Sequence, residues 1–153
     1  MLIGNFLKNI KKEFRNHRFA GLSFNSVDCK KDYIFFAIKG TKSDGNKFID
    51  HAIKKGAKTI ISEQKFEGIK NKVLFLRSKN VRKLLSELSY KIKKNKPKNL
   101  IAVTGTNGKS SIADFYFQLL DLSNKKVASI GTLGIRTKNN LKNVSNTTLD
   151  ALG

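Results

Sequence analysis

The sequence predicts an α/β fold in two parts. A small mixed α/β N-terminal domain is expected over residues 1–96, followed over residues 97–153 by the truncated start of a P-loop α/β domain. Three observations carry this. Short apolar runs at 33–38, 59–61 and 73–76 read as buried strands, and they alternate with stretches at 48–53 and 81–92 whose apolar residues recur at helical spacing. A lysine-rich break at 91–98, KIKKNKPK, holds the only proline of the chain, Pro97. Beyond it, residues 99–111 read NLIAVTGTNGKSS, an apolar run, a glycine turn and a helix start.

In chain order, Leu2, Ile3, Phe6, Leu7, Ile10 and Phe14 recur at helical spacing and predict a helix over 2–15 with a solvated basic face. The run YIFFAI at 33–38 is the strongest strand signal. Residues 39–46, KGTKSDGN, form a loop with a turn at Asp44-Gly45. Phe48, Ile49, Ala52 and Ile53 make a short amphipathic helix that Gly56 ends. Strands follow at 59–61 and 73–76, and Val81, Leu84, Leu85, Leu88 and Ile92 predict a helix of about three turns or more. In the second part, 100–103 is expected as a buried parallel strand. The next helix should bury Ile112, Phe115, Tyr116, Leu119 and Leu120, and 126–130 is expected as a further strand. His17 and His51 are given no functional role.

The strand–turn–helix at 99–111 has the parts of a phosphate cradle. Phosphate oxygens need several donors at close range, and Gly105 and Gly108 let backbone N–H groups approach without an intervening Cβ. The helix N-terminus adds partial positive charge. Lys109 would reach the β- and γ-phosphates, and the Ser110 hydroxyl would ligate Mg²⁺. The strict pattern G-x-x-x-x-G-K-[ST] is not met, because Val103 stands at its first glycine. The bland alternative is a glycine turn between a core strand and a core helix, with Lys109 merely solvated.

Charge and cysteine content narrow the classes further. The 31 Lys+Arg against 11 Asp+Glu give a net charge of +20, which suggests an anionic partner, so a basic nucleic-acid-binding module is the alternative reading. The lysines are spread along the whole chain, and the break at 91–98 lacks the interleaved aromatics that stack bases, so a solvated linker fits it better. The single cysteine, Cys29, excludes an internal disulfide and points to a reducing, cytoplasmic setting. No apolar run approaches the roughly 20 residues needed to span a bilayer.

The TGTNGKSS loop resembles the ATP-binding loop of the Mur ligase family, cytoplasmic bacterial enzymes that build the peptidoglycan stem peptide and so serve cell-wall biogenesis, cell shape and division. Two further matches follow the same order as in the family. The N-terminal part is similar to the domain that recognises a uridine nucleotide sugar, where a D-S-R triplet precedes G-D-[LV]-F-[VF]-A. Here the positions read Asn25-Ser26-Val27 and then KDYIFFA, so the triplet's Asp and Arg are replaced. The family pattern G-x-x-x-D-G-x-x-F-I-x-x-A is present at 40–52, and Asn146-Thr147-Thr148 matches the N-T-T of the branch that adds the third stem-peptide residue, with Leu149 where the family usually has Pro.

The resemblance implies ATP and Mg²⁺ as cofactors and UDP-N-acetylmuramoyl-dipeptide as substrate. A diamino acid, either lysine or meso-diaminopimelate, would be ligated through an acyl phosphate by a protein acting as a monomer. Another Mur-type ligase, adding a different residue, is the alternative within the family. Lys109 is the implied catalytic residue. Gly105, Thr106, Asn107, Gly108, Lys109, Ser110 and Ser111 are the implied nucleotide-binding residues, with Ser110 on the metal. Ser26, Thr41, Lys42, Ser43, Asn146, Thr147 and Thr148 are the implied substrate contacts. By the same resemblance the chain corresponds to the beginning of such an enzyme and is expected to be inactive alone.

Overall fold

The structure, a computed structural model, describes residues 1–40, 43–143 and 152. Contacts divide it into two compact units, the first spanning Met1–Lys94 and the second starting at Asn95.

The first unit is built on a five-stranded sheet. Its strands are β1 (Gly21–Ser23), β2 (Tyr33–Phe36), β3 (Thr59–Ser62), β4 (Gly68–Lys70) and β5 (Val73–Arg77), in the order β1-β2-β3-β5-β4. The first three and β5 run parallel, with Leu22 beside Ile34, Ile34 beside Thr59 and Ile60 beside Phe75. Side chains alternate across the pleat, so each apolar strand feeds two cores. Ile34, Phe36, Ile61, Leu74 and Leu76 face one side, under α2 (Val81–Ile92). Phe35, Ile60 and Val73 face the other, under α1 (Ile49–Lys54). This double burial is why the strands read as continuous apolar runs. Helix α2 starts at Asn80, whose side chain accepts the Lys83 N–H at 2.9 Å, and it buries Val81, Leu85 and Leu88. Each of these is worth about 1.5–3 kcal/mol of apolar burial.

Two expectations for this unit are corrected. Residues 2–15 are not one helix. They form two short 3₁₀ turns, Ile3–Asn5 and Lys12–Phe14, and the segment folds back on itself. The Ile3 N–H donates to the His17 carbonyl at 2.9 Å and the Gly4 N–H to that of Arg15 at 3.0 Å. A Cβ on Gly4 would lie 2.7 Å from that of Arg15, so the close return requires glycine there. The apolar residues still reach the core, with Ile3, Phe14 and Phe19 buried beneath the α2 side of the sheet. The second correction is β4, which was not anticipated. It pairs antiparallel with β5 through a two-residue loop, Asn71-Lys72, both at positive φ (51° and 63°), the geometry of a type I′ hairpin turn.

The second unit holds α3 (Lys109–Leu122) and an antiparallel meander of β6 (Ala128–Gly131), β7 (Gly134–Thr137) and β8 (Asn140–Lys142). The expected buried strand at 100–103 is absent. No described strand pairs with it, and Leu100 is 88% exposed. A parallel strand exists only as part of a ladder, so apolar sequence alone does not make one. The expected buried face of α3 is likewise outward. Ile112, Phe115, Tyr116 and Leu119 are exposed, and the buried residue is Phe117 on another face of the helix.

Candidate functional site

The candidate residues form two groups, one in each unit. In the second unit the chain enters α3 through Gly108, whose φ of 76° is left-handed backbone, and Gly105 lies at φ 148°. Among the described residues, nothing beyond its chain neighbours and the helix's own backbone lies within 4 Å of a Cβ built on Gly108, so the turn's φ, not crowding, calls for glycine. The first turn of α3 carries no acidic residue, so nothing in it offsets the helix dipole. Lys109 folds back over the turn, its Nζ donating to the carbonyls of Gly105 at 2.5 Å and Thr106 at 3.0 Å. The ammonium is thereby held at the mouth of the loop. Thr106, Asn107, Ser110 and Ser111 are all exposed around it. This arrangement suits an anionic group with several oxygens.

The donor set fits a nucleotide phosphate and contributes little to a metal. Ser110 offers one hydroxyl. The nearest carboxylate on the helix, Asp114, is engaged by the Arg136 guanidinium of β7 and by Gln118 Nε2 at 2.6 Å. Arg136 also lies over the Phe117 ring, 4.4 Å from its centroid. Sequence reading missed this tie between α3 and the meander, since nothing local in the sequence links positions 114 and 136. Among the described residues no cluster of three or more His, Cys, Asp or Glu side chains is placed to hold a metal.

In the first unit, the candidate residues follow the C-terminal ends of neighbouring parallel strands, the edge where open α/β sheets receive ligands. Ser26 lies just after β1 in a turn closed by its own hydrogen bonds. Ser23 Oγ donates to the Asn25 carbonyl at 2.6 Å, and Asn25 Oδ1 accepts the Val27 N–H at 3.1 Å. Asn25 Nδ2 donates to Asp28 at 2.9 Å, a bond that an ionised Asp at position 25 could not make, which gives the Asn a structural reason. Ser26 is 5% exposed, and its Oγ lies 2.9 Å from His51 Nδ1 on α1. The sequence assigns His51 no functional role. Its only signal was topological, since α1 starts at the same sheet edge.

The loop after β2 is closed by a bridge between Lys39 and Asp44 and by the Gly40 N–H donating to the Ser43 carbonyl at 2.9 Å. Asp44 caps the following turn, and the Asn46 backbone N–H, with its side-chain amide, holds the Asp44 carboxyl below the usual carboxylate range. Ser43 is exposed at this edge. Thr41, Lys42, Asn146, Thr147 and Thr148 lie outside the described residues.

A strand-edge group of candidate residues on a double-sided α/β core, with a separate glycine loop at a helix start, has the parts that nucleotide binding needs, and the chain carries a Mur ligase family domain. The family model described as "Mur ligase family, catalytic domain" matches residues 18–92, within the first unit. A curated relative in Rickettsia prowazekii (strain Madrid E), a UDP-N-acetylmuramoyl-L-alanyl-D-glutamate–2,6-diaminopimelate ligase, is 45% identical over 148 residues, covering 94% of this chain and 30% of that protein. A ligase of the same name in Buchnera aphidicola subsp. Schizaphis graminum is 38% identical, covering 88% and 29%. The solved structure of a ligase of that name superposes with a TM-score of 0.78 at 28% identity over 99% of this chain and 31% of that one. MurF ligase from Thermotoga maritima, solved in complex with ADP, gives a TM-score of 0.53 at 28% identity over 72% of this chain and 24% of that one. The chain spans about 30% of the length of the curated relatives it matches. Among the described residues no helix is long and apolar enough to cross a membrane.

Proposed function

We propose that the chain supplies the nucleotide-sugar and phosphate-binding parts of a cytoplasmic ATP-dependent ligase of peptidoglycan synthesis. The reaction joins a diamino acid to UDP-N-acetylmuramoyl-L-alanyl-D-glutamate, and the names of the relatives favour 2,6-diaminopimelate as that amine. On this reading the first unit, with the boundary near residue 96, holds the UDP-sugar through Ser26, Thr41, Lys42 and Ser43. The second opens the ATP-binding domain, with Asn146, Thr147 and Thr148 directed to the muramoyl-dipeptide. A carboxylate is a poor electrophile, and its phosphorylation by ATP supplies a leaving group. The amine nitrogen then attacks the acyl carbon, loses a proton, and inorganic phosphate departs.

The chain's own share is electrostatic. Loop N–H groups over residues 105–109 and the N-terminus of α3 bind the phosphates, and Lys109 neutralises charge that develops on the transferring group. Ser110 offers a hydroxyl to Mg²⁺, which shields the same charge when bound. The observation that carries the reading is the Lys109 ammonium held over the Gly105 and Thr106 carbonyls at the uncompensated helix start. Calorimetry of MgATP binding tests it. Lys109→Ala should weaken binding by at least about tenfold, as expected for loss of a charge-assisted contact. The fold should remain intact, since the side chain is exposed. Unchanged affinity in a folded variant removes the phosphate-loop assignment.

A further inference from the structure

We propose that His51 is a positioning residue for the nucleotide-sugar site, holding the Ser26 hydroxyl so that its proton points at the ligand; this rests on the reading of the first unit given above. The two residues are 25 positions apart and come from different elements, yet Ser26 Oγ and His51 Nδ1 meet at 2.9 Å. The backbone around Ser26 is already fixed by the Ser23, Asn25 and Asp28 hydrogen bonds, which leaves rotation of the hydroxyl as the free variable. A serine hydroxyl has one proton and two lone pairs. If imidazole Nδ1 accepted that proton, Ser26 would turn only lone pairs outward. The diphosphate of a uridine nucleotide sugar also presents only acceptors, so the two would not bond. With Nδ1–H donating to Oγ, the Ser26 proton is released toward the phosphate oxygen. His51 therefore sets the polarity of a nearly buried hydroxyl whose neighbour in the site is an anion.

His51 is exposed on the short helix α1, so its truncation leaves the core intact. The test is calorimetry of the full chain with UDP-N-acetylmuramoyl-L-alanyl-D-glutamate for wild type, Ser26→Ala, His51→Ala, His51→Asn and the Ser26→Ala/His51→Ala pair, with thermal melts alongside. His51→Ala should weaken binding about fivefold, the loss of one net hydrogen bond. His51→Asn should restore most of it, because the Asn amide occupies the place of Nδ1 and can donate. In the Ser26→Ala background, His51→Ala should cost nothing further. Three results overturn the proposal: affinity insensitive to His51→Ala, an equal loss in both backgrounds, or no rescue by Asn. If Ser26→Ala itself leaves affinity unchanged, or the wild type does not bind, the substrate reading of the first unit fails and takes this proposal with it. A loss on Ser26→Ala without one on His51→Ala condemns the positioning role alone.

Discussion

His17 shows how one side chain can set a pH limit. It sits half-buried where the N-terminal segment returns, and its Nε2 is buried without a hydrogen-bond partner among the described residues. Burial is the largest influence on the ring and holds its pKa below 6.5, outweighing a Lys58 backbone hydrogen bond and the Asp32 charge that act in the opposite sense. Protonation in the fold would place the ring's positive charge where burial keeps water away, whereas in the unfolded chain that cost is absent. A depressed folded pKa means that the stabilising contribution is complete above the unfolded value and is lost as pH falls through the folded one. Thermal stability should therefore fall from pH 7 toward pH 5, and His17→Asn should flatten that part of the profile. Melting curves across this range check it, and an equal slope in the variant removes His17 as the source. Such residue-level detail was illegible in the sequence. Nothing marks position 17 as facing residues 32 and 58 until the first fifteen residues fold back.

At the scale of elements, legibility followed burial. The runs at 33–38, 59–61 and 73–76 and the helix at 81–92 were readable because both faces, or one helical stripe, enter a core. The 2–15 segment failed for the converse reason. Its apolar residues are buried, but a backbone ladder with residues 15–18 satisfies its N–H groups in place of a helix, and helical spacing cannot tell these apart. The glycine turn and the helix after it were legible because Gly108 and α3 are local, whereas the strand before them depends on distant partners. The β4–β5 hairpin was hidden because its loop reads Asn-Lys where Asn-Gly would announce it. Lys72 stands there at φ 63°, exposed, in a conformation that strains a side-chain-bearing residue by roughly 1–2 kcal/mol. Lys72→Gly should raise stability by about 0.5–1 kcal/mol, the strain relief less the entropy that glycine adds to the unfolded chain. Urea unfolding measures it, and a loss of stability would show that the Lys72 stem contributes more than its backbone costs.

At the scale of the molecule, the two units are unequally built. The first has a sheet with cores on both faces. The second leaves Ile112, Phe115, Tyr116, Leu119 and Leu122 outward on one helix, with Phe115 68% exposed and Leu122 more so. An apolar stripe of this extent is the kind of surface that folded proteins cover. The glycine loop proposed to bind phosphate stands at the head of that helix, so its rigidity is no better than the packing beneath it. The acyl-phosphate chemistry proposed above demands more: two anionic substrates and a metal held in line with water excluded. Here the described carboxylate nearest the loop on α3, Asp114, is tied to Arg136, and the chain covers about 30% of the relatives that bear the ligase name. These 153 residues alone should therefore bind hydrophobic dye, self-associate as concentration rises, and show no turnover. The deciding assay follows ADP and phosphate release with UDP-N-acetylmuramoyl-L-alanyl-D-glutamate and 2,6-diaminopimelate, with lysine as the alternative amine. Release above background that vanishes in Lys109→Ala would mean that the loop, α3 and the first unit suffice to organise the reaction, and the requirement for further covering structure would have to be abandoned.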